Sequence, residues 1–494
     1  MIRIFNSLSG AKQPLLPIIP DEIRMYVCGD TVYDFCHIGH ARSKIAFDVV
    51  RRWLMHRGLR VTFVRNITDI DDKIIRRAAE LGESIGSFTE RFIAAMHEDY
   101  DRLGILRPDH EPRATAYVAQ MIATIQTLIE SGSAYIAADG DVMYSVASFA
   151  GYGQLSGKRL ADLRAGARIE VDHAKRDPLD FVLWKQSKPG EPAWPSPWGA
   201  GRPGWHIECS AMSAALLGTN FDIHGGGMDL KFPHHENEIA QSCAASNDKF
   251  ANVWMHNGFV NVDDAKMSKS LGNFFTIREV LNRRDAAGDL LVRHPEVLRF
   301  FLMSSHYRGP INYSLEQINQ ADSTLGGLYN CLRGLDLRGD SRVGGAASER
   351  FGAAMDDDFN TPEGIAVLKS IEGEINRARA AGQPAVAAQL GGELVSLGHI
   401  LGVLKLEPEE WFRLRKAAPI VQVEVTDSWT GRCDEAETKL TILSEPQIQS
   451  LIAEREAARL AKNFKRSDEI RDKLLAAGVR LEDKPGGVTE WRYR

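Results

Sequence analysis

The chain has 494 residues, of which 44% are hydrophobic and 26% charged, so it can fill several buried cores. At roughly 100 to 200 residues per domain we expect about three or four domains, and the composition excludes intrinsic disorder, a collagen-like repeat and a fibrous coiled coil as the main plan. The 60 basic and 66 acidic residues give a net charge of −6, which does not indicate nucleic-acid binding, although a local basic face is compatible with that total.

Neither targeting signals nor disulfides are expected. The N-terminus becomes charged and polar too soon for a signal peptide, and the uncharged run at residues 114–129 is too short and too polar for a membrane span. The 6 cysteines are scattered over the chain, which indicates free thiols in a reducing compartment. We therefore expect a soluble, cytoplasmic protein, a monomer, with no membrane contact.

The first elements predict a parallel sheet. Residues 24–28 are a short β-prone run, apolar residues recur at helical spacing over 39–58, and residues 61–64 are a second strand. A strand, a helix and a strand within about 45 residues form the unit of a parallel sheet, which binds ligands at the carboxyl ends of its strands. Chemistry is therefore expected just after Cys28 and just after Val64.

The later elements change character along the chain. Residues 75–203 read as an insertion with amphipathic helices and a hairpin near 134–145, and sheet character returns at 221–224 and 253–255 with a helix between them from about Pro233. Strands then become scarce, and helical periodicity marks the segments 295–303, 314–335, 362–381 and 385–404 and a charged helix pair over 447–477.

The first motif, His37-Ile38-Gly39-His40, stands where a strand has ended and a helix begins. A helix N-terminus offers free N–H groups and the positive end of a dipole, and two imidazoles can donate to phosphate oxygens. Gly39 would let a ligand approach the backbone. Taken alone, two histidines at this spacing are more often ordinary surface or core residues than a phosphate site.

The second motif, KMSKSLGN at residues 266–273, is a polar loop directly after the second group of strands. Mobile lysines such as Lys266 and Lys269 can close on a triphosphate and offset the charge that builds on the leaving oxygen. Taken alone, a solvated basic turn is the commoner interpretation. The two motifs together, in this order and on these elements, favour nucleotide chemistry.

The paired motifs resemble the signatures of class I aminoacyl-tRNA synthetases, and the surrounding residues are similar to the cysteinyl-tRNA synthetase family. The resemblance runs from about residue 20 to 405 and returns in the C-terminal helices. It is carried by MYVCGDTVYD at 25–34, TDIDDK at 68–73, PGWHIECSAM at 203–212, DIHGGGMDL at 222–230 and PHHENE at 233–238.

The resemblance implies an α/β fold in which a Rossmann-like parallel-sheet catalytic domain carries an inserted connective domain and is followed by a helical bundle and a small C-terminal domain. We divide the chain accordingly into two catalytic halves at 1–114 and 204–260, the connective segment at 115–203, a signature-loop and stem-contact region at 261–313, the helical bundle at 314–405 and an anticodon-binding region at 406–494.

The resemblance also implies a zinc site made by Cys28, Cys209, His234 and Glu238. His234 and Glu238 are four residues apart, hence on one face of a helix, whereas the fold has to bring in both cysteines. Without the family, these positions show no zinc-finger spacing, and a buried free cysteine is usually inert.

A bound zinc would explain how cysteine is told from serine. An apolar pocket separates substrates that differ by a methylene or a hydroxyl by only about 10². A zinc ion draws a thiol into its thiolate form and binds sulfur in a way that a serine hydroxyl matches badly. Such a site needs no editing domain, so the insertion is assigned no hydrolytic role.

The implied reaction is attack of the cysteine carboxylate on the α-phosphorus of ATP with Mg²⁺, followed by transfer of the cysteinyl group to the terminal adenosine of tRNA(Cys). The catalytic residues carried over are His37, His40, Lys266 and Lys269, with Gly39 and Ser268 added for ATP binding. The residues that would bind the amino acid are Trp205, His224 and Asp229, for which core packing or a structural salt bridge is an equally weighted alternative, together with Thr68 and Gly29.

Some parts of the sequence depart from the family pattern. Asp30 stands where the family often has proline after Cys-Gly, and its carboxylate could repel a triphosphate or cap the turn. Residues 407–444 follow no pattern that we can align. Residues 451–494 include eleven basic and eight acidic residues. The candidate tRNA contacts in this segment are Arg455, Arg459, Lys462, Lys465 and Arg466. The alternative interpretation is a solvated helix face with no ligand.

Three other functions are compatible with parts of the sequence. A related ligase joins cysteine to an amino sugar in mycothiol synthesis, but its family lacks the anticodon-binding region that the chain beyond residue 405 supplies. A zinc hydrolase would need a water on the metal and a carboxylate base, for which Glu208 or Glu236 is available. A noncatalytic tRNA-binding relative is disfavoured because both signature motifs are intact.

Overall fold

The structure is a computed structural model that describes residues 1–166, 175–267, 273–284, 290–337, 345–414, 445–460, 463–476, 479–483 and 489–493. Within these ranges no helix is both long enough and apolar enough to cross a lipid bilayer.

The N-terminal part alternates strands and helices as predicted. A small antiparallel hairpin precedes the first long strand, and a helix crosses over to the next strand, which pairs with it in parallel. The elements are β1 (Arg3–Asn6), β2 (Ala11–Pro14), β3 (Glu22–Thr31), α1 (Ile38–His56), β4 (Arg60–Thr68), α2 (Asp72–Leu81) and α3 (Ile85–Arg102).

The insertion forms a sheet of its own. Its four strands pair antiparallel in the order β5, β6, β7, β8, so the predicted hairpin near residues 134–145 is confirmed. The elements are a short 3₁₀ turn (Ala114–Tyr117), α4 (Val118–Glu130), β5 (Ala134–Ile136), β6 (Val142–Tyr144), a second 3₁₀ turn (Val146–Ser148), α5 (Leu160–Gly166), β7 (Phe181–Gln186) and β8 (Gly201–Pro203).

The central sheet is completed after the insertion. It comprises four parallel strands in the order β10, β9, β3, β4, which confirms the predicted α/β architecture. The elements added here are α6 (Trp205–Leu217), β9 (Phe221–Gly227), an irregular helical turn (Lys231–His235), α7 (Glu236–Ser246) and β10 (Ala251–Asn257).

The remainder is mainly helical, again as predicted. A small sheet, β12-β11-β13, precedes the bundle, and a short hairpin ends the chain. The elements are β11 (Val260–Val262), β12 (Ala265–Lys266), α8 (Ile277–Asn282), α9 (Pro295–Met303), β13 (Ile311–Tyr313), α10 (Leu315–Leu332), α11 (Ala346–Asp356), α12 (Thr361–Ala380), α13 (Pro384–Leu401), α14 (Pro408–Arg413), α15 (Glu445–Leu460), α16 (Phe464–Ala476), β14 (Val479–Asp483) and β15 (Thr489–Tyr493). The exact domain boundaries stay a prediction.

Strand β3 separates two hydrophobic cores. Met25 and Val27 point into the core shared with α1 and the bundle, whereas Tyr26 and Cys28 point into the core shared with α6 and α7. This alternation is the period of two of a β-strand. It places the Cys28 thiol on the face of the sheet that α6 and α7 cover.

Candidate metal centre and nucleotide site

The structure brings the four predicted metal ligands together. Cys28 lies near the end of β3, Cys209 on α6, His234 in the irregular turn and Glu238 in the first turn of α7. All four side chains are buried, and their donor atoms lie within 4.8 Å of one another. The two Sγ atoms are 3.8 Å apart, and Nε2 of His234 is 3.0 Å from Oε1 of Glu238. Two thiols, an imidazole and a carboxylate form a donor set that suits a transition metal.

Neighbouring side chains orient these donors. Oε1 of Glu238 faces His234 and, at 3.6 Å, Sγ of Cys28, while Oε2 lies 2.8 Å from Nε2 of His224. Nδ1 of His234 lies 2.9 Å from Nδ1 of His206. Contacts of this kind fix the rotamer and tautomer of metal ligands.

A second set of donors overlaps the first. Cys28, His224, His235 and Glu238 also place their donor atoms within 4.8 Å of one another. Nε2 of His235 is 3.3 Å from Sγ of Cys28, and Nδ1 of His235 is 2.8 Å from Nε2 of His256. Because both sets share Cys28 and Glu238, they cannot each hold a separate metal ion.

The ionisation of the cluster follows from its burial and its internal contacts. The hydrogen bond from Cys28 lowers the pKa of Cys209 to about 6, whereas burial raises the pKa of Cys28 well above its usual value. Burial alone would raise the pKa of Glu238, but His224 and His234 hold it well below its usual range. The cluster thus favours the ionised forms of Cys209 and Glu238.

The first signature motif caps helix α1. His37 is the N-cap residue: its Nδ1 accepts a hydrogen bond from the N–H of Gly39 at 3.0 Å, and its own N–H donates to Nδ1 of His40 at 3.1 Å. The two rings stack at 3.7 Å between centroids. Since each Nδ1 accepts, the proton of each neutral ring is on Nε2. Both imidazoles can therefore donate from Nε2 beside the helix N-terminus.

The second signature motif and the two residues that follow it contact the first motif. Met267 approaches the Gly39 backbone, and the Phe274 ring meets the His37 ring edge-on at 4.9 Å. The N–H of Ile38 donates to the Phe275 carbonyl at 3.1 Å. The backbone of Lys266 ends β12, while its side chain and all of Ser268 and Lys269 lie outside the described residues. The geometry brings the two motifs together without describing the lysine side chains.

Of the residues predicted to bind the amino acid, Trp205 and His224 contact the cluster directly. The Trp205 ring lies 4.2 Å from the His234 ring and is 40% exposed, so it can cover the site. Thr68 donates to Oε2 of Glu208 at 2.8 Å. Asp229 is near enough for its charge to oppose the lowering of the pKa of His40 by burial.

Gly29 has a structural role that the sequence did not show. A Cβ at this position would lie 1.5 Å from the carbonyl oxygen of Asn66, and the N–H of Gly29 donates to Oδ1 of Asn66 at 2.8 Å. Glycine is therefore required for the close approach of β3 and β4. Its predicted part in substrate binding stays a prediction.

Several residues of the site were missed. His206 and His235 stand next to predicted residues in the quoted motifs, so their contact with the metal cluster could have been considered. Lys44 and Asn66 lie four residues after His40 on α1 and two residues before Thr68 on β4, so helix and strand periodicity could have indicated them. Tyr100 gave no comparable signal, because only the folded chain brings α3 to the site. Among the candidate tRNA contacts, Arg459, Lys465 and Arg466 are exposed, Lys462 lies outside the described residues, and Arg455 is buried at 7% exposure, which does not suit a phosphate contact.

Comparison with known families covers most of the chain. Residues 15–323 match the family model of the tRNA synthetases class I (C) catalytic domain, residues 350–405 the DALR domain, and residues 444–492 the cysteinyl-tRNA ligase anticodon binding domain.

Similar proteins span the same length. The cysteine–tRNA ligase of Methylococcus capsulatus is 56% identical over 497 residues, covering 100% of both chains. That of Stutzerimonas stutzeri is 57% identical over 491 residues, covering 99% of both. Among solved structures, methionyl-tRNA synthetase of Mycobacterium tuberculosis in complex with methionyl-adenylate has a TM-score of 0.55 at 16% identity, over 77% of this chain and 89% of that chain. The last likeness shows the fold alone, whereas the full-length matches show that the chain belongs to the cysteinyl-tRNA synthetase family.

Proposed function

We propose that the protein activates L-cysteine with ATP and Mg²⁺ to cysteinyl adenylate and transfers the cysteinyl group to the terminal adenosine of tRNA(Cys). The observation that carries this proposal is a buried pair of thiols with a histidine and a glutamate, one thiol of which lies on β3, the strand that precedes the first of the two signature motifs of a class I synthetase. Full-length similarity to cysteine–tRNA ligases supports it.

The adenylation step needs charge stabilisation more than proton transfer. The Nε2–H groups of His37 and His40 would donate to the phosphate oxygens at the N-terminus of α1, where the helix dipole favours negative charge. Gly39 leaves room for the phosphates beside the backbone. Lys266 and Lys269, from the second motif, would offset the charge of the departing pyrophosphate, with Ser268 assisting.

The metal that we propose for the cluster is Zn²⁺, one ion per chain, held by Cys28, Cys209, His234 and Glu238. When bound, it would supply affinity for a thiolate sulfur that a serine hydroxyl cannot match. His224 would keep Glu238 oriented through its hydrogen bond of 2.8 Å.

The rest of the amino-acid pocket would hold the remainder of the substrate. Trp205 would cover the substrate side chain, and Asp229 would meet its ammonium group. Thr68 and Gly29 would shape the floor of the pocket at the end of the central sheet.

Transfer to tRNA would use the helical regions. The bundle α10 to α13 and the C-terminal helices would together contact the stem and the anticodon of the tRNA, with salt-dependent phosphate contacts from Arg459, Lys465 and Arg466. Arg466 already pairs with Glu454 at 2.8 Å, so its contact with phosphate would exchange one anion for another. From the sequence alone, we further propose that the protein is a monomer and acts in the cytoplasm.

The alternatives are less well supported. The matched anticodon-binding region at residues 444–492 argues against the amino-sugar ligase. For a hydrolase, both candidate bases have other partners: Glu208 accepts from Thr68 at 2.8 Å, and Glu236 accepts from the N–H of Ser156 at 2.8 Å.

The decisive experiment combines metal analysis with cysteine-dependent ATP–pyrophosphate exchange, with serine as the control. We expect one zinc per chain, exchange with cysteine and none with serine, followed by charging of tRNA(Cys). Exchange without tRNA charging, together with acceptance of glucosaminyl inositol, would identify the amino-sugar ligase instead. Zinc-replete protein without exchange would leave a hydrolase or a noncatalytic relative.

A further inference from the structure

A buried polar cluster lies beneath the first signature motif. Oδ1 of Asp30 is 3.0 Å from Nζ of Lys44, and the hydroxyl of Tyr100 donates to Oδ2 of Asp30 at 2.6 Å. The side chains of Asp30 and Lys44 are only 3% and 4% exposed. We call these three residues the Asp30 cluster. Lys44 comes from α1 and Tyr100 from α3, so the cluster joins three elements of the catalytic domain.

The cluster reaches both halves of the site. Nε2 of His40 lies 3.9 Å from Oδ1 of Asp30, and Nζ of Lys44 donates to the backbone carbonyl of Cys28 at 3.1 Å. The nucleotide-side histidine and the strand that carries a thiol are thus attached to the same ion pair. The Arg65 guanidinium lies over the Tyr100 ring at 5.1 Å and adds positive charge behind it.

The charge of Asp30 is compensated inside the protein. Its two oxygens are occupied by the Lys44 ammonium group at 3.0 Å and by the Tyr100 hydroxyl group at 2.6 Å. The carboxylate therefore stays ionised beside an ammonium group, and the pair is close to neutral as seen by an incoming triphosphate. The repulsion that the sequence alone suggested is thereby offset.

We propose that Asp30, held by Lys44 and Tyr100, is a positioning residue that orients His40 for the adenylation step. The His40 ring is held by one hydrogen bond, from the N–H of His37 to its Nδ1 at 3.1 Å, and the Asp30 carboxylate lies 3.9 Å from its Nε2. At that distance the carboxylate attracts the Nε2–H group without accepting a hydrogen bond from it, so it favours the tautomer protonated on Nε2 and leaves that N–H free to donate to phosphate. The inference rests on the proposed function, since His40 acts here on ATP.

The test is a double-variant cycle between Asp30→Asn and His40→Asn, read by cysteine-dependent pyrophosphate exchange. Asp30→Asn should lower kcat by about 10- to 100-fold, as expected for a misplaced donor, while KM for cysteine and metal content change by less than about twofold. In the His40→Asn background the same substitution should cost less than about twofold, because its target is gone. The proposal would be overturned if the kcat losses of the two single variants multiplied in the double variant. An unchanged kcat in Asp30→Asn, or loss of metal from that variant, would also overturn it.

A matched control separates positioning from stability. Asp48 is another buried carboxylate, on α1, which pairs with Arg52 and Arg299 away from the signature motif. Asp48→Asn should lower the thermal midpoint without changing kcat per folded molecule by more than about twofold. An equal loss of kcat in this variant would show a general effect of buried charge and overturn the proposal.

A milder variant covers the case in which Asp30→Asn does not fold. Tyr100→Phe removes one hydrogen bond from Asp30 without unpairing its charge, and it should lower kcat by about 3- to 10-fold. An unchanged kcat in a folded Tyr100→Phe protein would refute the positioning role. Wild-type exchange is read first: its absence refutes the proposed function together with this inference, whereas an active wild type with an indifferent Asp30 refutes the inference alone.

Discussion

The two overlapping donor sets make different predictions for adjacent histidines. Cys209 and His234 belong only to the first set, whereas His224 and His235 belong only to the second. Oε1 of Glu238 faces His234 at 3.0 Å, and Nδ1 of His235 is already engaged with His256 at 2.8 Å. We therefore expect His234→Ala to abolish tight metal binding and His235→Ala to leave one ion per chain.

The size of the effect follows from the number of ligands. Structural zinc sites bind with about 10–16 kcal/mol, so one of four ligands contributes roughly 3 to 4 kcal/mol and its loss weakens binding by about 100- to 1000-fold. Replacing a residue that only supports a ligand weakens metal binding by about 10-fold, the lower end of the usual range for such residues. His235 belongs to that class, because it contacts Sγ of Cys28 at 3.3 Å without being needed to complete the set.

The assay is competition with a chromophoric chelator, with metal content measured after dialysis and the fold checked by circular dichroism. Cys209→Ala is the companion variant, since it damages the first set and spares the second. Both Cys209→Ala and His234→Ala should lose metal and cysteine affinity together. Retention of one zinc in both, with loss in His235→Ala, would transfer the site to the second set.

Three further outcomes are expected. Lys269→Ala should depress pyrophosphate exchange with cysteine binding little changed, and a large loss of cysteine affinity in titration would contradict its role at the phosphates. Burial raises the pKa of Asp99 to about 6, only partly offset by Arg278, so its ionisation should cost stability as pH rises from about 4 through 6. Ionisation of Asp99 should lower the free energy of unfolding by about 3 kcal/mol in full, and by about 1.4 kcal/mol between pH 5 and 8. Urea unfolding at several pH values measures this slope, which should be missing in Asp99→Asn. Arg299→Met removes one ion-pair partner of buried Asp48 and should lower the free energy of unfolding by about 3 kcal/mol in the same assay. An unchanged free energy would mean that Arg52 alone is enough to compensate the charge of Asp48.

The architecture could be predicted because it depends on local periodicity. The run at 24–28 belongs to a strand over Glu22–Thr31, and the helical spacing over 39–58 belongs to a helix over Ile38–His56. The hairpin near 134–145 and the late helices were found in the same way. Side-chain period and turn residues decide such elements before any long-range contact forms.

The metal site could be predicted only as a set of positions. Cys28 and Cys209 are 181 residues apart, and no spacing rule connects them; their 3.8 Å contact comes from the pairing of β3 with β9 and the packing of α6. The family resemblance supplied the four ligands. It did not reveal that His235 would lie as near to Cys28 as a ligand does, because adjacent histidines differ only in the direction that the irregular turn gives them.

Asp30 shows how a local departure is absorbed by distant residues. A proline there would constrain the backbone covalently, whereas Asp30 is held by Lys44 and Tyr100, which lie on two other elements. The turn is thus held by side chains on two other elements, which must be present together. Replacing Asp30 by proline would leave Lys44 buried without its carboxylate, which is among the costlier changes a core can suffer. The three positions are therefore expected to tolerate replacement jointly and to resist it singly.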